Sequence, residues 1–126
     1  MNTYLKWQAK QYNYAMFANA QIAFVLSAMP VVHSYWIWKL GPKPVTWLRM
    51  IAVGRRFHGQ GLGRRGLFEA IEFFTQKGYR ELYLEYVADN GFLADFYGSC
   101  GFEEIAGEQH AYLTGLFNMI LARKVL

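Results

Sequence analysis

The segment Val53 to Gly66, VGRRFHGQGLGRRG, brings together closely spaced glycines and arginines, residue types suited to holding phosphate. Gly59, Gly61 and Gly63 have no Cβ atoms, so an anion can come close to their backbone. A strongly apolar run precedes this segment and a helix-like run follows it. The first turn of a helix has amides without intrahelical partners and carries the positive end of the helix dipole. A strand, a glycine loop and a helix start in that order can form a phosphate cradle. Charge-assisted hydrogen bonds contribute about 1.5–3 kcal/mol each, so a few amides and an arginine can hold a diphosphate. The same glycines also suit a plain tight turn, and the loop alone does not separate the two readings. Gly61, Gly63 and Gly66 match the Gly-x-Gly-x-x-Gly spacing of a dinucleotide fold. That fold needs repeated βαβ units and an acidic residue at the end of the next strand. The chain is too short for the repeats, and Glu85 falls within the strand. The loop has no Gly-Lys-Ser/Thr, which excludes a Walker-type nucleotide site.

A second unit, Leu82 to Phe102, reads LYLEYVADNGFLADFYGSCGF. With the glycine loop it resembles the GNAT superfamily of acetyltransferases. That family has an Arg/Gln-x-x-Gly-x-Gly/Ala loop after its fourth strand, then a downstream Asn, a Tyr seven residues later and a closing Gly-Phe. Asn90, Tyr97 and Gly101-Phe102 stand at that spacing here. Each motif is common, but their joint order is specific, and the resemblance covers Thr46 to Ile105. The Arg/Gln position falls on His58, in His58-x-x-Gly61-x-Gly63. A shifted reading, Arg56-x-x-Gly59-x-Gly61, keeps the arginine but misplaces the helix.

The resemblance implies acetyl-CoA as cosubstrate and direct transfer to an amine in a ternary complex. The donor phosphates would lie on the amides of Gly59, Gln60, Gly61, Leu62, Gly63 and Arg64, with Arg56 and Arg65 nearby. The pantetheine arm would follow the end of the preceding strand. A backbone amide near Ile51, Ala52 and Val53 would stabilise the oxyanion. Asn90 would bond the pantetheine amide or order the splayed strands. Tyr97 would protonate the departing thiolate, a contribution of about 10²–10⁴-fold at most; as a core aromatic beside Leu93 and Phe96 it would have no such role. The base is not determined: the default reading of Glu85 is an exposed strand carboxylate, and the alternative is that it faces the cleft and serves as base directly or through water. Cys100 reads as a small buried core residue, and His33 and His110 as surface or structural residues, His110 in a loop. Two other readings remain open: a toxin-type enzyme acetylating aminoacyl-tRNA, and a non-catalytic acyl-CoA sensor.

These residues need a scaffold. Leu67, Ala70, Ile71 and Phe74 follow i, i+3, i+4, i+7, the stripe of an amphipathic helix over 61–77 that Gly78 caps. Tyr14–Phe17 and Ile22–Leu26 read as a hairpin around Asn19. Val31–Leu40 reads as a strand or extended segment, and Val45–Val53 as a strand after the Gly41-Pro42-Lys43-Pro44 break. Leu82–Val87 is the next strand. Asp89 or Asn90 caps a short helix to Ser99, and Phe102–Ala106 and Leu116–Ala122 close the chain as strands. Residues 2–12 are ambiguous between a short helix and a frayed lead-in. The fold class expected is α/β: one domain over 1–126, with a mixed, mostly antiparallel central sheet and helices packed on it. It is short at the N-terminus, where the family usually places a strand and two helices.

The 126 residues suit a single core, and 54% are hydrophobic. Arg55, Arg56, Arg64 and Arg65 account for the net charge of +4, and the other basic residues balance the acidic ones. That points to one local anion site and away from a nucleic-acid coat. The single cysteine excludes an internal disulfide, and the histidines lack metal-ligand spacing, so no metal is expected. The uncharged stretch Gln11–Trp38 is interrupted by polar residues and by Pro30, so no membrane span is expected and a cytoplasmic location is. Tyr35, Trp36, Trp38 and Trp47 are expected in the core, at the acceptor site or on a homodimer surface.

Overall fold

The computed structural model describes the backbone of residues 2–8 and 11–126, and the side chains of 11–126. Its strands β1 (Asn2–Gln8), β2 (Gln11–Ala18) and β3 (Gln21–Val31) form an antiparallel meander. The ambiguous lead-in is therefore a strand over 2–8. Its ladder with β2, from Asn2↔Phe17 to Gln8↔Gln11, supplies a pairing that the local sequence cannot reveal. Asn19 and Ala20 turn the β2–β3 hairpin with φ of 52° and 62°, the geometry whose twist matches the flanking strands.

After Val31 the expected extended segment does not form. The chain makes a 3₁₀ turn at Ser34–Trp36 and a short helix, α1 (Ile37–Leu40). Local β propensity yields to tertiary packing here, because the turn buries Trp36 completely. The remaining order is β4 (Val45–Val53), α2 (Leu62–Gln76), β5 (Glu81–Val87), α3 (Gly91–Ser99), β6 (Glu103–Tyr112) and β7 (Gly115–Val125). The closing strands are longer than the sequence suggests, because the ladder with β7 carries β6 through its polar stretch as far as Tyr112.

The sheet runs β1-β2-β3-β4-β5-β7-β6, and its neighbours are antiparallel except for β4 and β5. One face packs against α2, whose stripe Leu67, Ala70, Ile71 and Phe74 meets Phe24, Leu26, Leu48, Leu82 and Leu84. Tyr97 and Cys100 belong to the same cluster. The opposite face gathers Trp36, Trp47, Tyr83, Met119 and Leu121. Leu82, Leu84 and Tyr86 thus face α2, and strand alternation places Tyr83 and Glu85 on the other side. Among the described residues no helix is long and apolar enough to cross a membrane.

Gly66 sets how closely α2 approaches the sheet. A Cβ there would lie 2.4 Å from the Phe24 ring, which is fully buried and cannot retreat. Overpacking costs about 1–3 kcal/mol, against roughly 1 kcal/mol of helix propensity gained by alanine. Gly66→Ala is therefore expected to lower the urea midpoint, by the equivalent of about 1–2 kcal/mol. A midpoint at or above that of the parent protein would contradict this packing.

Candidate functional site

Two local features open the centre of the sheet. β4 and β5 pair only at Trp47↔Tyr83 among the described residues, and beyond it the strands part. A bulge in β4 adds to this. Ser27 pairs with Arg49 and Val25 with Ala52, so Met50 and Ile51 together oppose Leu26. Met50 adopts φ 58° with its side chain exposed, an uncommon conformation for a residue other than glycine. Bulges recur beside active sites because they re-aim the backbone. Past the divergence, β4 and β5 present backbone groups to the gap as edge strands do.

On one side of the gap lies a cavity of about 640 Å³, lined by the end of β4, the glycine loop and α3. Of the predicted donor residues, it brings together Ile51, Ala52, Val53, His58, Gly59, Gly61, Leu62, Gly63 and Arg64. Gln60 is exposed next to this set, and its side-chain amide reaches the Arg56 carbonyl at 3.4 Å. Gly61 is the N-cap of α2 with φ 72°, and no side chain caps the helix there. The first backbone bond across this end runs from the Arg65 amide to the Gly61 carbonyl. The amides before it, at Leu62, Gly63 and Arg64, are the orphan donors of a helix start. A Cβ on Gly63 would come within 3.1 Å of Val53, so the glycine keeps the floor of the cavity open.

His58 lies at the Arg/Gln position of the motif. Its Nε2 is 3.0 Å from the Val53 carbonyl oxygen, an acceptor that calls for the Nε2–H tautomer. The ring thereby ties the loop to the end of β4. Asn90 is the N-cap of α3, and its side-chain oxygen accepts from the Leu93 amide at 3.1 Å. It therefore fixes the helix that carries Tyr97.

Tyr97 stands where this cavity meets a second one of about 460 Å³, and both are lined by Ile51, Leu93 and Tyr97. Its ring packs against Phe96, Tyr86 and Phe102, with centroids 5.3, 5.6 and 6.0 Å away. Its hydroxyl makes no hydrogen bond to another described residue. Burial, followed by the nearby Cys100, pushes the phenol up to about 12. Tyr97 is at once a core aromatic and a free hydroxyl at the junction.

The second cavity includes Glu85. The default reading of Glu85 as an exposed strand carboxylate does not hold, because the side chain is 17% exposed. Trp36 Nε1 donates to one carboxylate oxygen at 2.7 Å, and the Tyr112 hydroxyl donates to the other at 3.0 Å. His33 Nε2 is 3.5 Å from Glu85, and His110 Nδ1 is 4.0 Å away. Burial first, and then the Glu85 carboxylate, raise the Tyr112 phenol above its ordinary range. His110 is not in a loop as expected. It lies on β6, 2% exposed, stacked on Tyr35 with centroids 4.3 Å apart. Cys100 is buried as expected. Trp36 and Trp47 are buried, while Trp38 is exposed and its indole donates to Glu108 at 2.5 Å.

Phe57 and Phe92 in the first cavity and the Trp36–Glu85–Tyr112 bonds beside the second were not expected from the sequence. Phe92 and Phe96 stack one helical turn apart, at 6.2 Å and 5°, a spacing legible in principle as i, i+4. The Glu85 bonds join segments far apart in sequence and leave no local signal.

The sequence pattern described as the acetyltransferase (GNAT) family matches residues 4–102. Among solved structures, the acetyltransferase of GNAT family from Streptococcus pneumoniae aligns at TM-score 0.75 and 24% identity, over 93% of this chain and 67% of that one. The ribosomal-protein-S18-alanine N-acetyltransferase from Escherichia coli aligns at 0.72 and 24% identity, over 94% and 71%. A GNAT family acetyltransferase from Elizabethkingia anophelis with acetyl-CoA bound aligns at 0.71 and 20% identity, over 93% and 77%. Identities this low establish a shared fold. No curated protein sequence matches this one.

Proposed function

Since the chain belongs to the acetyltransferase (GNAT) family, we propose that it moves an acetyl group from acetyl-CoA directly to an amine bound across the sheet from the donor. The observation that carries this reading is the pair of cavities meeting at Tyr97, one bounded by an uncapped helix start and the other holding a carboxylate. The acetyl-CoA bound in the Elizabethkingia anophelis relative supports the choice of donor.

In this reading the amides from Gly59 to Arg64 hold the diphosphate. Their glycines let it approach, and the dipole of α2 favours its charge. The pantetheine arm lies along the unpaired edge of β4, over the surface formed with Phe92 and Phe96. A backbone amide beside the bulge, near Ile51 to Val53, stabilises the oxyanion. An alkylammonium must lose a proton before attack, since its pKa is near about 10.4. Glu85 takes that proton, directly or through water. The amine nitrogen then bonds to the thioester carbon, the carbon–sulfur bond breaks, and Tyr97 offers its hydroxyl proton to the departing sulfur.

The test is thermal unfolding with acetyl-CoA, free CoA and adenine nucleotides, followed by acetyl transfer to a panel of amines. A donor that binds only the folded chain stabilises it by about 2.7 kcal/mol at a hundredfold excess over its dissociation constant. Both CoA forms should raise the midpoint, and thiol should be released only when an amine is present. No shift with either CoA form would overturn the donor assignment. A shift with no transfer to any amine would favour a non-catalytic acyl-CoA sensor.

A further inference from the structure

Arg49 on β4 and Glu85 on β5 stand opposite one another across the gap. Trp47 and Tyr83 pair in parallel register, and Arg49 and Glu85 each lie two residues further along. Residues two apart on a strand share a face. Arg49 and Glu85 therefore sit at equivalent register on the face of Trp47 and Tyr83, and both line the 460 Å³ cavity. Strands that stayed paired would hold them about 5 Å apart at the backbone, within reach of an ion pair. Here the strands have parted, and no ion pair forms between them among the described residues.

Each charge has binding capacity left. Arg49 is exposed and makes no hydrogen bond or ion pair with a described residue. Glu85 accepts from the neutral donors Trp36 and Tyr112, which fix its carboxylate without cancelling its charge. A carboxylate offers about four lone-pair sites, so places remain for an ammonium. The other titratable groups around Glu85 are His33 from the β3–β4 connection and His110 and Tyr112 from β6, with Glu108 beyond His110. The same cavity is also lined by Trp47, Val87 and Met119, which offer apolar surface on that face.

We propose that the acceptor is a small amine carrying its own carboxylate, with its ammonium toward Glu85, its carboxylate toward Arg49 and a short hydrocarbon spacer between. This rests on the acetyltransferase reading and specifies its substrate class. The guanidinium suits a carboxylate because it can donate two parallel hydrogen bonds.

The experiment measures acetyl-CoA-dependent thiol release with ω-amino carboxylates, from glycine to 5-aminopentanoate, against n-alkylamines of matched length. The wild-type chain should prefer one of the amino carboxylates by about 10- to 100-fold in kcat/KM, the scale of one charged hydrogen-bonded pair. In Arg49→Met that ratio should fall close to one. Transfer to alkylamines with no carboxylate preference, or a preference that survives Arg49→Met, overturns this proposal and leaves the transferase reading standing. Absence of both donor binding and transfer to any amine overturns that reading, and this proposal with it.

Discussion

Tyr97→Phe is expected to lower kcat about 100-fold while acetyl-CoA still stabilises the protein as it does the wild type. The size follows from the environment of the phenol. Tyr97 is pushed up to about 12, mainly by burial. A thiol titrates near about 8.5, so complete transfer from such a phenol would be uphill by roughly 3–4 units, or about 4–5 kcal/mol. In the proposed mechanism Tyr97 would thus act as a hydrogen-bond donor to the growing thiolate, with the proton passing only as charge builds on sulfur. That places the effect at the lower end of the range for general acids. The substitution is clean because the hydroxyl has no partner among the described residues and the ring contacts remain. The same group has an alkaline signature. Its pKa is raised on folding, so its contribution to stability is intact below about 10 and is lost as pH rises from about 10 to about 12. Tyr97→Phe should lack that part of the alkaline decline. An unchanged kcat would remove Tyr97 from the chemistry, and loss of donor stabilisation would make it a binding residue.

Gly61→Val is expected to abolish stabilisation by acetyl-CoA. Gly61 is at φ 72°, and a Cβ built there meets nothing within 4 Å, so no neighbour is displaced. The penalty lies in the backbone, because a β-branched residue in the left-handed region is a genuine outlier costing about 1–2 kcal/mol or more. Relief of that strain would re-orient the loop amides around Gly61 that the proposal assigns to the diphosphate. Losing even two charge-assisted bonds of about 1.5–3 kcal/mol each weakens donor binding by 100-fold or more. The unliganded midpoint should drop by only a few degrees, as expected for about 1–2 kcal/mol in a domain of this size. Calorimetric titration with CoA checks the result. Affinity within threefold of the wild type would show that these amides do not hold the diphosphate.

Much of the supporting scaffold was legible because its signals are local. The stripe Leu67, Ala70, Ile71 and Phe74 repeats with the helical period, and α2 buries that stripe. Asn90 caps α3 through its own side chain, a bond spanning only the first turn. Gly61 takes the left-handed conformation that side-chain-bearing residues avoid. The misreadings have a common cause. The strand over 2–8 depends on its ladder with β2, the 3₁₀ turn at Ser34–Trp36 on burial of Trp36, and the position of His110 on pairing between β6 and β7.

Local signals alone marked the Asn19 hairpin, the Gly78 helix end, the helix whose start presents free amides, and a tyrosine seven residues after Asn90. Periodicity, glycine and capping act over a few neighbouring residues, so they can be read without knowing the fold. Strand pairing and packing set the parting of β4 and β5 after Trp47↔Tyr83, the bulge at Met50, and the shared cavity that Arg49 and Glu85 line. They also decided that Glu85 is held by Trp36 and Tyr112. Those relations come from strand register and from packing between distant segments, where the energy of each contact depends on residues that sequence distance keeps apart.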